Sequence, residues 1–286
     1  MSAAREQMLK VARVGTLAVG RVTQAARMDP TFLIVGAQRC GTTSMFKVLR
    51  QHPAVLAPAL QKGIHYFDTQ YPKGFAWYRG HFPLAAPARL RRAARGTRPI
   101  SGESSPYYMF HPLAAERIAH DLPETKLIVL LRDPVERAIS AFTHETARGF
   151  ETESFERALE LEPVRIAGER DKMLAEPGYD STHLQHNAYV TRGQYIEQLE
   201  RLESLVGRDR LHVVDSHDFF TDPAPAYAAV CSFLGLPEFQ GAMFDQHNAR
   251  PRSPMPGDLA ARLDEHFRPY DERLAQWWGQ VPGWRR

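Results

Sequence analysis

Between Thr31 and Gln51 the sequence passes from a short apolar run, Thr31-Phe-Leu-Ile-Val35, through a loop bounded by Gly36 and Gly41. It then enters a segment whose apolar residues Met45, Val48 and Leu49 fall at helical spacing, with Pro53 just past its end. Strand, tight loop and helix in this order predict a buried strand with several backbone N–H groups converging at its carboxyl end. A second unit of the same kind follows at Lys126-Leu-Ile-Val-Leu-Leu131, where Asp133 is placed to cap a helix and Pro134 to occupy its first position. Short runs at 54–57, 99–102 and 211–215 supply further strands. Strands alternating with helical stretches predict an α/β fold: a mostly parallel central sheet flanked by helices, with a P-loop-like phosphate-binding strand-loop-helix. Ligands in such folds sit at the carboxyl ends of strands, so residues 36–44, 102–108 and 132–140 are where a site is expected.

The 286 residues suffice for one large domain, and no repeat, low-complexity tract or Gly/Ser-rich linker divides them. We expect an amphipathic N-terminal extension over 1–28 and a single domain over 29–286. In the extension Met8, Val11, Gly15, Ala18 and Val22 recur at helical spacing among Arg5, Lys10, Arg13, Arg21 and Arg27. Two readings fit: a packing or disordered extension, or a surface for peripheral contact with a membrane or an amphiphilic acceptor. The apolar run is too short for a signal peptide or a membrane span, which points to a cytoplasmic protein, peripheral to a membrane on the second reading. Residues 149–185 are charged and irregular, and are expected to form an insertion or mobile lid. A net charge of +3 is too small for a nucleic-acid binder, so any anion preference must come from locally placed Arg and Lys. The two cysteines, Cys40 and Cys231, lie far apart and give neither a disulfide framework nor metal-ligand spacing, and the histidines are scattered; no metal is expected.

In the nucleoside triphosphatase loop a Lys directly follows the second Gly and reaches the terminal phosphates. Here that position is Thr42, and the cation, Arg39, stands inside the loop. Thr42, Thr43 and Ser44 add hydroxyl donors at the helix start. The loop reads as a cradle for a phosphate whose charge is met by a side chain rather than by magnesium. At the second strand end Arg132 offers a planar fork suited to phosphate oxygens, and Ser140 a hydroxyl about two helical turns on. The alternative there is an ordinary strand-to-helix junction with Arg132 paired to Glu136.

Gly36-Ala-Gln-Arg-Cys-Gly-Thr-Thr-Ser44 resembles the 5′-phosphosulfate loop of the sulfotransferases that use 3′-phosphoadenosine-5′-phosphosulfate (PAPS). Arg132-Asp-Pro-Val-Glu-Arg-Ala-Ile-Ser140 resembles their 3′-phosphate motif. Lys62-Gly-Ile-His-Tyr-Phe-Asp68, Gly102-Glu-Ser-Ser-Pro-Tyr-Tyr108, Gly193-Gln-Tyr195 and Leu211-His-Val-Val-Asp215 stand in the same order as in that family, most like its heparan sulfate group and bacterial relatives. The resemblance implies a PAPS-dependent sulfotransferase acting on a hydroxyl or amine of a carbohydrate, glycolipid or small molecule, with PAP as product. It implies donor contacts at Arg39, Cys40, Gly41, Thr42, Thr43, Ser44, Arg132 and Ser140. It also implies a basic turn near the chain end, at Asn248 and Arg250 with Arg252 in reserve; a solvated basic turn is the other reading. Acceptor identity and oligomeric state stay open.

Sulfuryl transfer requires that the acceptor lose a proton and that charge on the departing phosphate be neutralised. Arg39 and Lys62 are the cations for the second task. For the first, the heparan sulfate group has a Glu after this Lys, whereas this chain has Gly63. Three sources of a base remain: His65, whose ordinary pKa of about 6.5 suits the work; Glu103; or a residue elsewhere. Glu103 has a structural reading as well, as an ion-pair partner orienting Lys62 or Arg39. Many relatives carry Lys where Ser104 stands here. Gly63 and Ser104 therefore leave a second functional reading, a PAPS- or PAP-binding protein of the same fold with lost or altered catalysis.

Overall fold

The computed structural model describes residues 15–59, 62–88, 90, 96–176, 178–244, 255 and 257–286. At its centre is β1 (Phe32–Gly36), buried at every position because strands lie on both sides of it. β3 (Ile100–Ser104) pairs with it in parallel, Phe32 facing Gly102 and Leu33 facing Glu103, and β4 (Lys126–Leu131) pairs on the other side with Phe32 facing Lys126. β2 (Val55–Leu56) and β5 (Leu211–Asp215) complete a parallel sheet of order β2-β3-β1-β4-β5. The unbroken apolar runs of β1 and β4 follow from burial on both faces. Each such Leu, Ile or Val side chain contributes roughly 1.5–3 kcal/mol by leaving water.

Helix α1 (Thr42–Leu49) leaves the β1 loop and packs on β1 and β3. After α2 (Phe75–Arg79) and α3 (Ala114–Asp121), the chain crosses β4 into α4 (Pro134–Ala147). Asp133 caps α4 as its sequence position predicts, accepting from the N–H of Val135 at 2.8 Å. The stretch 149–185, expected to be irregular, instead folds into α5 (Phe155–Ile166), α6 (Glu169–Ala175) and most of α7 (Thr182–His186). Two of its carboxylates are buried partners: Glu162 accepts the N–H groups of Tyr189, Val190 and Thr191, and Glu151 pairs with Arg165 at 2.6 Å. α8 (Tyr195–Val206) packs against α3, and α9 (Ser216–Thr221) and α10 (Pro223–Leu234) follow β5. α11 (Gly257–Trp278) lies against α8 and α4.

The chain leaves β1 toward β2 and β3, then returns past it to β4 and β5. The carboxyl end of β1 is therefore the point where strand order reverses, and a crevice opens there. Residues 15–22 are helical, and the chain after them is tied down by Arg27 Nη1 donating to Phe82 O at 2.6 Å and Met28 N–H to Pro83 O at 2.9 Å. Among the described residues no helix is long and apolar enough to cross a membrane.

Candidate functional site

The loop from β1 to α1 is held by the N–H of Ala37 donating to Leu130 O at 2.8 Å, which ties it to the neighbouring strand. Two of its residues have left-handed backbone, Arg39 at φ 72° and Gly41 at φ 89°. A Cβ on Gly41 would also stand 2.8 Å from the tip of the Phe220 ring, so glycine suits both the backbone and the space there. This turn aims the start of α1, with Thr42, Thr43 and Ser44, into a cleft of about 940 Å³. Unpaired N–H groups and the helix dipole make that end anion-attracting.

Cations gather on the same cleft. Lys62 Nζ donates to Thr43 Oγ1 at 2.8 Å and to Thr42 Oγ1 at 3.4 Å. Burial lowers its pKa to about 8, against the pull of Glu103, with Lys47 adding a smaller push downward. Arg39 Nε donates to Ser140 Oγ at 3.1 Å, so the two motifs at the ends of β1 and β4 touch. Arg132 lines the cleft as expected, yet its Nη2 and Nε reach Glu136 Oε2 at 2.6 and 3.0 Å, the pairing its alternative reading anticipated.

A loop of this shape, with its cations on side chains and none in the Lys position of the triphosphatases, fits an anion other than a nucleoside triphosphate. The comparisons agree: residues 29–249 match the family described as Sulfotransferase domain. The chain belongs to the sulfotransferase family. It is 31% identical to heparan sulfate glucosamine 3-O-sulfotransferase 6 of Homo sapiens over 90% of its own length and 74% of that protein. It is 23% identical to the membrane-associated sulfotransferase kil1 of Dictyostelium discoideum, covering 86% of this chain and 64% of that one. The crystal structure of a sulfotransferase from Alicyclobacillus acidocaldarius, 29% identical, superposes with a TM-score of 0.66 over 91% of this chain and 100% of the other. The activity that goes with membership is sulfuryl transfer from PAPS.

In this sulfotransferase the stretch after Lys62 is arranged around His65. Its Nδ1 lies 2.8 Å from Asp68 Oδ2; the imidazole is 44% exposed on the cleft, whereas the Asp68 side chain is fully buried. Burial alone would lower the imidazole pKa, but the hydrogen bond and charge of Asp68, with Glu103 behind it, outweigh burial and Lys62 and raise it. A Cβ on Gly63 would lie 3.5 Å from His65 Nε2 and 2.6 Å from Ser104 O. No side chain fits at 63 with the backbone as it runs, and an imidazole nitrogen stands beside the place where one would begin.

Two residues of the expected set do not line the cleft. Cys40 is fully buried: its thiol faces Tyr195 Oη at 3.6 Å, its N–H donates to Ala37 O, and burial pushes its pKa up. Glu103 is likewise fully buried, with burial raising its carboxyl pKa against four hydrogen-bond donors. Asn248, Arg250 and Arg252 lie outside the described residues.

The far wall of the cleft went unseen in the sequence. Glu145 accepts from Gln38 Nε2 at 3.5 Å, faces His186 Nδ1 at 2.9 Å and pairs with Arg148 at 3.1 Å. Arg192, buried, donates to Gln38 Oε1 at 2.5 Å and lies 4.7 Å from the ring centre of Tyr107. Trp284 also lines the cleft, brought there because Gly283 N–H donates to Asp215 Oδ2 at 2.6 Å at the end of β5. Gln38 and Asp68 stood inside recognised motifs, and their polar character was the available signal. Glu145, His186 and Arg192 gave none, since only folding brings them together.

Proposed function

We propose that this sulfotransferase moves a sulfuryl group from PAPS to a hydroxyl or amine of a carbohydrate, with His65 as the base. Carbohydrate is favoured over a glycolipid or small molecule because the human relative is named for a glucosamine acceptor. The observation that carries the reading is the placement of a half-exposed imidazole, backed by buried Asp68, on the same cleft as Arg39, Lys62 and the start of α1. PAPS supplies the activated sulfuryl group and a phosphate leaving group. Lys62, Arg39 and the Thr42–Ser44 donors would hold the 5′ end, and Arg132 with Ser140 the 3′-phosphate. With Nδ1–H donated to Asp68, the neutral imidazole keeps Nε2 open to take the proton of the acceptor O–H or N–H as the acceptor atom bonds to sulfur. The S–O bond to the leaving phosphate breaks, and the cations retain the charge left on PAP.

The test is transfer of labelled sulfate from PAPS to a panel of sugars, glycolipids and phenols. Transfer to a sugar supports the reading. PAP binding without turnover on any acceptor would favour the binding-protein alternative that Gly63 and Ser104 raised.

For residues 1–28 we propose peripheral membrane contact, because Val19 and Val22 on the helical segment are 59% and 86% exposed beside Arg21. Replacing Val19→Asp together with Val22→Asp should abolish co-sedimentation with anionic vesicles. Equal sedimentation of both proteins, or of neither, removes the proposal.

A further inference from the structure

Ile64, His65 and Tyr66 turn three consecutive backbone N–H groups inward, and all three lead to one carboxylate. Ile64 N–H donates directly to Glu103 Oε2 at 3.3 Å. His65 N–H donates to Ser105 Oγ at 3.1 Å, whose hydroxyl donates to the same Oε2 at 2.7 Å. Tyr66 N–H donates to Tyr108 Oη at 2.8 Å, whose hydroxyl donates to Glu103 Oε1 at 2.7 Å. Ser104 N–H closes the arrangement by donating to Lys62 O at 3.0 Å. Glu103 is itself fixed in β3 opposite Leu33, in the strand that runs into the phosphate loop.

We propose that Glu103 is the positioning residue of this site, setting where Lys62 and His65 stand relative to the phosphate loop without touching the cleft. The proposal rests on the reading of His65 as the base. A buried acceptor satisfied by hydroxyl and amide donors is stiff, because each lost bond strands a polar group away from water. Gly63 belongs to the same device. The 62–66 stretch is drawn so close to 103–105 that a Cβ at 63 would meet Ser104 O at 2.6 Å and Ser105 Oγ at 3.1 Å. Any side chain there must push the stretch away from its anchor. A carboxylate that only held a turn would affect stability and leave the imidazole as it is.

The experiment uses the full chain with Glu103→Gln, Ser105→Ala and Gly63→Ala. It follows His65 titration by NMR, PAP affinity by calorimetry and the rate of sulfuryl transfer. The charged groups facing His65 are Asp68, Glu103 and Lys62, and Asp68 holds its titration high. Loosening the stretch should therefore lower the His65 midpoint by about half a pH unit or more in all three variants. It should cut kcat by about tenfold or more, as misplacement of a reacting group does. Ser105→Ala should leave PAP affinity within about twofold, because it severs the His65 branch and not the contacts of Lys62 with Thr42 and Thr43. Titration and kcat unchanged, with only the melting temperature lowered, would overturn the proposal. If Glu103→Gln does not fold, Ser105→Ala decides it alone. If no acceptor is turned over by the wild type, a shifted His65 midpoint upholds the positioning while the proposed function fails, and an unshifted one rejects both.

Discussion

The two ends of the cleft are built differently. At the donor end Arg39 and Lys62 are held by hydroxyls, those of Ser140, Thr42 and Thr43. Elsewhere on the cleft lining the imidazoles of His65 and His186 are held by the carboxylates of Asp68 and Glu145. A lysine anchored by neutral hydroxyls, as Lys62 is by Thr42 and Thr43, keeps its charge for an incoming anion. The carboxylate of Asp68 orients the His65 imidazole and, outweighing burial, raises its pKa. The first end is equipped to bind, the second to manage protons, and Glu103 ties the stretch that serves both.

The comparison breaks most easily at His65. His65→Gln should lower kcat by roughly 10²–10⁴-fold, the contribution of a positioned general base, while leaving KM for PAPS nearly unchanged. A rise in KM with kcat intact would move His65 to the binding end and return the search for a base to residues elsewhere. Substitutions at the donor end should split the other way. Lys62→Ala or Arg132→Ala should each weaken PAP binding by about 2 kcal/mol, as expected for a charged hydrogen-bond partner. Unchanged affinity by calorimetry would remove that residue from the donor site.

A pH profile sharpens the contrast, because the two ends require opposite protonation. As the proposed base His65 would act only when neutral, and Asp68 raises its pKa above the ordinary 6.5, so the rate should climb with pH through a limb above that value. Lys62 serves an anion only when charged, and burial brings its pKa down to about 8, so the rate and PAP affinity should fall again as pH passes that value. The expected kcat/KM profile is a narrow bell. Asp68→Asn should move the acidic limb to lower pH and leave the alkaline limb in place. A profile flat from pH 6 to 9, roughly the span where histidine and a buried lysine titrate, would contradict both assignments.

The same contrast explains what could be read from the sequence. The donor end is encoded by consecutive residues: a strand, Gly36 to Ser44, then a helix, and later a strand, Arg132, a cap and a second helix. Local periodicity and capping express these directly, which is why the sheet, both loops and the Asp133 cap were legible. His65 and Asp68 lie three residues apart in one motif, but the wall around Glu145 is a product of long-range contacts. Glu145 and His186 are 41 residues apart, and Arg192 and Gln38 are 154 apart. Nothing in either neighbourhood marks them. Polar residues buried by such contacts look, in sequence, like their solvated neighbours, as Glu151 and Glu162 do among the mostly exposed charges of 149–185. Cys40 erred in the opposite direction: membership in the motif predicted a donor contact, but the turn at Arg39 and Gly41 sends its side chain into the core.

Glu136 offers the smallest and most discriminating change. It is a carboxylate paired with a proposed phosphate-binding cation, in contrast to the hydroxyls that Lys62 meets on Thr42 and Thr43. The pair is partly exposed, 21% for Arg132 and 36% for Glu136, so solvent screens it and its net strength is at most about 1 kcal/mol. If Glu136 competes with the 3′-phosphate for the guanidinium, Glu136→Gln frees Arg132 and tightens PAP binding by up to about fivefold. If it instead orients the fork toward the phosphate, the same variant weakens binding by a similar factor. Competition is the expected result. Both guanidinium contacts converge on a single oxygen, Glu136 Oε2, and occupy the Nε and Nη2 edge that would otherwise present two donors side by side. Calorimetry with PAP on the two proteins at low and moderate salt separates the cases, since relief from competition should shrink as salt screens the pair.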